Sequence, residues 1–266
     1  MKGIFIYFTL LFILMPSICF GSKDFIFISN NVLAKSEKEA ILILPGFGSK
    51  IQGTDSIIAF FIKTGYDVYI PNYISRKSIA NCVTNLDEFI IKNDLASYSK
   101  LNVFSYIVGA WTLNNWILNN PKNNIHSIVY DRSPLQERAP YAVVTDIPLI
   151  IRIFSGKIMK EFSKTPYSPI SNSQINIGIF IENRATKLIK KHKKTAMSLG
   201  SIDWNPKKLK QVYSDFCYLP LNHDDLYNRF EIFGGEIIYF FKYNAFSSDA
   251  KRTPFSEDPF INFEKK

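Results

Sequence analysis

Histidine and cysteine are scarce in this chain, at three of each in 266 residues. So few thiols exclude a scaffold built on disulfides. No His, Cys, Asp or Glu set stands at metal-ligand spacing along the sequence, so no metal site is expected. Glycine is sparse as well, at 12. The glycine-bearing stretch LPGFGSK (Leu44 to Lys50) lacks the long frame of a phosphate-binding loop, Gly-x-x-x-x-Gly-Lys-Ser/Thr. No cofactor motif is present and no repeat recurs. Aromatic residues do not interleave with the basic ones, and no nucleic-acid motif appears, so no DNA or RNA partner is expected.

What the chain does have is apolar mass. Hydrophobic residues make up 47% and aromatics 15%, enough for one large domain with its own core. The formal charge is +9, and much of the excess lies in RATKLIKKHKK, Arg184 to Lys194. This stretch is expected to form a basic helix, either as a solvated face or as a surface attracted to anionic membrane. His126 and His192 have no supporting context and are expected to be exposed.

Residues 1–21 stand apart. Lys2 precedes the apolar run GIFIYFTLLFILM, and the segment ends in Cys19-Phe20-Gly21. That order reads as a secretory signal cut after Gly21, implying export; an uncleaved membrane anchor is the alternative. Without it the charge is +8, because the segment carries Lys2 and no acid. Cys82 and Cys217 then remain, either paired or as two buried thiols.

From residue 40 onward strands and helices alternate. AILILPGF (Ala40 to Phe47) is a continuous apolar run closed by Pro and Gly, as in a strand buried on both faces. TDSIIAFFIKTG follows with helical spacing and Gly65 as a stop. YDVYIPNY, KLNVFSYI and HSIVYD read as further strands, separated by KSIANCVTNLDEFIIKND and AWTLNNWILNN as helices. Such alternation predicts a mostly parallel sheet with helices on both faces. Ligands then bind beyond the carboxyl ends of the strands. The loops at Pro45–Lys50, Tyr73–Lys77, Ser105–Ala110 and Asp131–Pro140 should share that rim. Residues 139–170 look helical, broken at Pro148, and form a candidate cap. QINIGIFIEN and QVYSDFCYLPL resume as strands, FGGEIIYFFKYN closes as a helix, and 245–266 is expected to be a loose tail.

Three stretches now bear on function: LPGFG (Leu44 to Gly48), SYIVGA (Ser105 to Ala110) and LNHDDLY (Leu221 to Tyr227). On these residues, in this order, the chain resembles the α/β-hydrolase superfamily in the lipase and esterase direction, across about Ala40 to Tyr227. The resemblance implies a three-layer α/β-hydrolase fold. It implies oxyanion-type backbone N–H groups at Phe47 and Val108, and a pocket position for Tyr106. His223 would be the base, unless it is a surface histidine beside Asp224 and Asp225. The acid would be Glu182 or Asp131, with Glu182 preferred; otherwise Glu182 is a strand-end carboxylate near Arg184, and Asp131 pairs with Arg132. The nucleophile position falls on Ile107.

Isoleucine has no lone pair and cannot attack a carbonyl, so serine-esterase activity is expected to be absent. The strained φ > 0 of a nucleophile turn disfavours a β-branched residue, so the turn is expected to relax. Two functional readings follow. One is an exported pseudo-hydrolase binding an apolar or acyl-type small molecule, or a partner. The other is an enzyme that uses a displaced hydroxyl, Ser105 or Ser133, or His223 without a covalent step. A membrane-peripheral module is a third. Oligomeric state is not legible.

Overall fold

The computed structural model describes residues 24–47, 51–171 and 174–261. The expected signal segment and its cleavage point lie outside them. Seven strands form one sheet: β1 (Phe25–Phe27), β2 (Glu39–Leu44), β3 (Asp67–Ile70), β4 (Lys100–Ser105), β5 (Ile125–Asp131), β6 (Asn176–Arg184) and β7 (Asp215–Asn222). Their order across the sheet is β1-β3-β2-β4-β5-β6-β7. All pairs are parallel except β1 with β3.

The main helices cover the sheet on both sides. They are α1 (Ile51–Phe61), α2 (Ile79–Lys92), α3 (Ile107–Asn119) and α10 (Phe230–Tyr243). Alternation along β2 shows why the sheet needs two covered faces. Ala40, Leu42 and Leu44 enter the core shared with α2 and α3, while Ile41 and Ile43 enter the core shared with α1 and α10. All five are fully buried, and each large aliphatic side chain so buried contributes about 1.5–3 kcal/mol.

The short antiparallel β1 has no counterpart in the periodicity reading, because three residues carry too little pattern. A polar anchor secures it. Asp67 Oδ1 accepts from the backbone N–H and hydroxyl of Ser29 at 2.8 and 2.9 Å. Its Oδ2 accepts from Lys38 Nζ and Tyr98 OH, each at 2.6 Å. Burial alone would raise the Asp67 pKa, but these donors outweigh it and hold it below the usual carboxylate value. A lowered folded pKa stabilises above ~4 and is lost as pH falls. Asp67→Asn is therefore expected to cost about 1–2 kcal/mol at pH 7 and to flatten the acid limb of urea-unfolding stability below pH 4.

The cap comprises α4 (Ala139–Asp146), α5 (Pro148–Ser155) and α6 (Ile158–Phe162). Pro148 breaks it as expected, standing at the start of α5. The basic segment departs from expectation. It forms two short helices, α7 (Lys187–Lys191) and α8 (Lys193–Met197), interrupted at His192. His192 is buried rather than exposed, with Nδ1 2.7 Å from Asp146 Oδ2. Ala185, Ile189 and Ala196 pack on Ala139 and Ala142 of the cap, so the segment is amphipathic and its lysines take the outer side. His126 is half-buried.

Residues 245–261 correct the loose-tail expectation. Phe246 is buried and stacks on Phe180 at 4.9 Å. Lys251 O accepts from Tyr218 N at 2.8 Å, and Asp215 accepts from Phe246 N and Arg252. The segment covers the otherwise open edge of β7, where unpaired backbone groups would invite association. Cys82 and Cys217 are both buried and free. Among the described residues no helix is long and apolar enough to cross a membrane.

Candidate functional site

Three adjacent strands deliver three ionisable groups to one spot. Asp131 ends β5, Glu182 lies near the end of β6, and His223 follows β7. Asp131 pairs with Phe180 in the β5–β6 ladder. Glu182 lies two residues further on, hence on the same face. His223 Nδ1 is 2.8 Å from Asp131 Oδ2 and 3.4 Å from Glu182 Oε1. Asp131 is the nearer acid, although the residues alone favoured Glu182. Both carboxylates are fully buried and His223 is 8% exposed, so none of the three is a surface group. Neither contact is aligned as a full hydrogen bond, and the four carboxylate oxygens have no hydrogen-bond partner outside the cluster.

Burial by itself would depress the His223 pKa. The charge of Asp131, seconded by Glu182, outweighs it and lifts the imidazole to about 10. Burial, reinforced by Asp131, pushes the Glu182 carboxyl well above its ordinary value. At neutral pH the cluster is therefore an imidazolium held between carboxyls, not a neutral base awaiting a proton. The three groups each bring a ligating atom within 4.8 Å of the others, which sequence spacing concealed because they come from separate strands. A cation could sit there only by displacing the imidazolium proton.

Two tyrosines enclose the cluster. Tyr106 and Tyr227 stack at 4.1 Å, and each meets His223 edge-on, at 6.0 and 5.8 Å. Tyr106 OH donates to Leu226 O at 2.9 Å, and Gly46 N donates to Tyr227 OH at 2.9 Å. Burial pushes both phenols up, so they stay neutral. Tyr227 was not singled out from the sequence; its only signal is its place four residues after His223, on the short helix α9 (Asp225–Asn228). It engages the Gly46 N–H in the glycine-bearing loop after β2.

The turn between β4 and α3 is relaxed. Tyr106 is extended (φ −72°, ψ 168°) and Ile107 opens the helix. Among the described residues only Asp94, Lys210 and Asn244 have positive φ apart from glycines. Gly109 lets the helix press on β2: a Cβ there would lie 2.7 Å from Leu44 Cβ and 2.8 Å from Leu44 O.

A pocket of about 140 Å³ opens at this rim. Gly46, Phe47, Ile107, Val108 and His223 line it from the sheet side, and Val143, Met159 and Phe162 from the cap. Of the four loops expected to meet, those after β2, β4 and β5 do. The loop after β3 instead sends Lys77 to a separate groove. Tyr106 does not line the pocket; it forms the packing beneath. Among the described lining residues there is no hydroxyl or thiol. Ser105 is fully buried and Ser133 nearly so, its Oγ donating to Glu182 O at 2.8 Å. Arg132 does not pair with Asp131. It binds Glu137, stacks over Tyr167 at 3.7 Å and donates to Leu209 O at 3.0 Å.

No protein-family model matches the sequence, and no curated protein matches it. Solved structures do. An α/β hydrolase enzyme from the metagenome of Mar Chica lagoon sediments in Morocco matches at TM-score 0.53 and 17% identity, over 84% of this chain and 96% of that one. An α/β-hydrolase fold protein from Chitinophaga pinensis matches at 0.52 and 12%, over 79% and 91%. The juvenile hormone epoxide hydrolase of the silkworm Bombyx mori matches at 0.51 and 10%, over 83% and 73%. At these identities the likeness is one of fold.

Proposed function

The chain has the α/β-hydrolase fold, and from that premise we propose that it is a non-hydrolytic, ligand-binding version of it. The supporting observation is the pocket wall, where Ile107 stands and no described hydroxyl or thiol does. A cavity of this size accepts an apolar group of roughly benzene volume. The His223 imidazolium in its wall offers a charged donor to a carbonyl or carboxylate end. Small acyl or aryl carbonyl compounds fit both features.

The test is hydrolysis of short-chain nitrophenyl esters by the wild type and by Ile107→Ser. Neither is expected to turn over. A serine placed at 107 would lack the strained turn and would face a histidine already protonated. The substitution is expected to cost about 2 kcal/mol through lost burial. Wild-type turnover abolished by His223→Gln would overturn the reading. The 2.8 Å contact of His223 with Asp131 favours a second reading, base catalysis without a covalent step. Its signature in the same assay is a rate that climbs toward pH 10 as the imidazolium deprotonates.

We also propose export, on the composition of residues 1–21. Expression with the native N-terminus is expected to yield an exported protein beginning at Ser22; a chain retained with Met1 intact overturns that.

A further inference from the structure

On the other side of the cap lies a larger cavity, a half-open groove of about 750 Å³. Val144, Pro148, Leu149 and Ile151 supply its apolar wall. Five cations surround it: Lys77, Arg152, Lys157, Lys160 and Lys164; the only acid in the lining is Glu161. None of the five has a carboxylate within ion-pair reach among the described residues. Glu161 is half-buried and accepts from Ile79 N at 3.3 Å; as one acid against five cations it leaves the rim with a net excess of four positive charges. Leu149 is 75% exposed, a large apolar side chain left at the lip of a basic groove.

The groove is separate from the pocket at His223. The same two helices wall both cavities with different residues: Val143, Met159 and Phe162 face the pocket, whereas Val144, Lys160 and Glu161 face the groove. The turn between α5 and α6 is pinned to the rim, since Lys157 N donates to Arg76 O at 2.9 Å. Gly156 occupies the left-handed region there (φ +68°), where a Cβ would lie 2.4 Å from that carbonyl.

We propose that this groove binds a single-chain anionic amphiphile, its alkyl chain on the Val144–Ile151 wall and its carboxylate or phosphate head among the lysines. Volume and apolar lining suit a small-molecule site. The uncompensated cations select the sign of the head, and concavity suits one chain more than a flat bilayer. The site does not depend on the reading of the His223 pocket.

Calorimetric titration with sodium dodecanoate, below its micellar range, tests this. One-to-one binding is expected, weakened at least tenfold in Lys157→Glu/Lys160→Glu and lost in Val144→Trp, with circular dichroism unchanged in both. Dodecyltrimethylammonium and inorganic phosphate are expected not to bind. Equal binding of the cationic and anionic chains would overturn the charge selection. Binding of phosphate as tight as dodecanoate would replace the amphiphile with a free anion. Co-sedimentation with phosphatidylglycerol vesicles without binding of monomeric dodecanoate would replace it with a membrane surface. An unchanged affinity in Val144→Trp would place the ligand elsewhere. A broken His223 pocket, made by Ile107→Trp, is expected to leave dodecanoate binding intact.

Discussion

Replacing His223 with alanine is expected to destabilise the protein by about 3–5 kcal/mol near neutral pH, the range for removing one partner of a buried ion pair. Asp131 and Glu182 are fully buried, and their side-chain oxygens have no hydrogen-bond partner outside the cluster they form with the imidazole. Without it, two carboxyls face each other in a low-dielectric site. The penalty should depend on pH, and its sign can be worked out. The His223 pKa is raised, to about 10. Its stabilising contribution is therefore complete below ~6.5 and declines as pH rises toward 10. Urea unfolding of both proteins should show the full penalty at pH 6 and a smaller one at pH 9. An equal penalty at both would mean that the ring contributes packing alone, and the charged description of the cluster would fail.

Gly109→Ala is the second large effect. In a helix interior this exchange ordinarily gains about 1 kcal/mol. Here the added Cβ would lie 2.5 Å from Ser105 Oγ, 2.7 Å from Leu44 Cβ and 2.8 Å from Leu44 O. Two of those atoms belong to Leu44, fully buried on strand β2, and have no free rotation by which to yield. Overpacking of this kind costs about 1–3 kcal/mol and sometimes more, so a net loss of about 3 kcal/mol is expected in thermal or urea unfolding. Adding Ser105→Ala should recover only part, because Leu44 remains. A neutral or stabilising Gly109→Ala would show that α3 does not press on β2 as described.

The two predictions rest on different degrees of legibility. Gly109 could be picked out from the residues alone, as the small position after Ser105-Tyr106-Ile107-Val108 where a strand passes into a helix. The order of elements from Ala40 to Asp131 was readable for the same reason. Apolar runs of strand length and helical spacing are local patterns, and burial on both faces leaves them unbroken by polar residues. Where the pattern was short or mixed, reading fell short. β1 has three residues. His192 looked like one more polar residue in a basic helix until Asp146 met it from the cap. The tail after Ala245 looked loose because its anchors, Phe180, Tyr218 and Asp215, lie far away in sequence.

The amino-acid order alone set the alternating sheet, the three stretches that resemble a hydrolase, and the hydrocarbon at position 107, since each is a property of neighbours along the chain. Tertiary structure decided the rest. It brought Asp131, Glu182 and His223 together from three strands and made the histidine a buried cation. It joined the Gly46 N–H to Tyr227 OH across 181 residues and gave the cap a basic groove on its far side. Charge state and hydrogen-bond occupancy depend on burial and on distant partners, and neither quantity is written into local spacing.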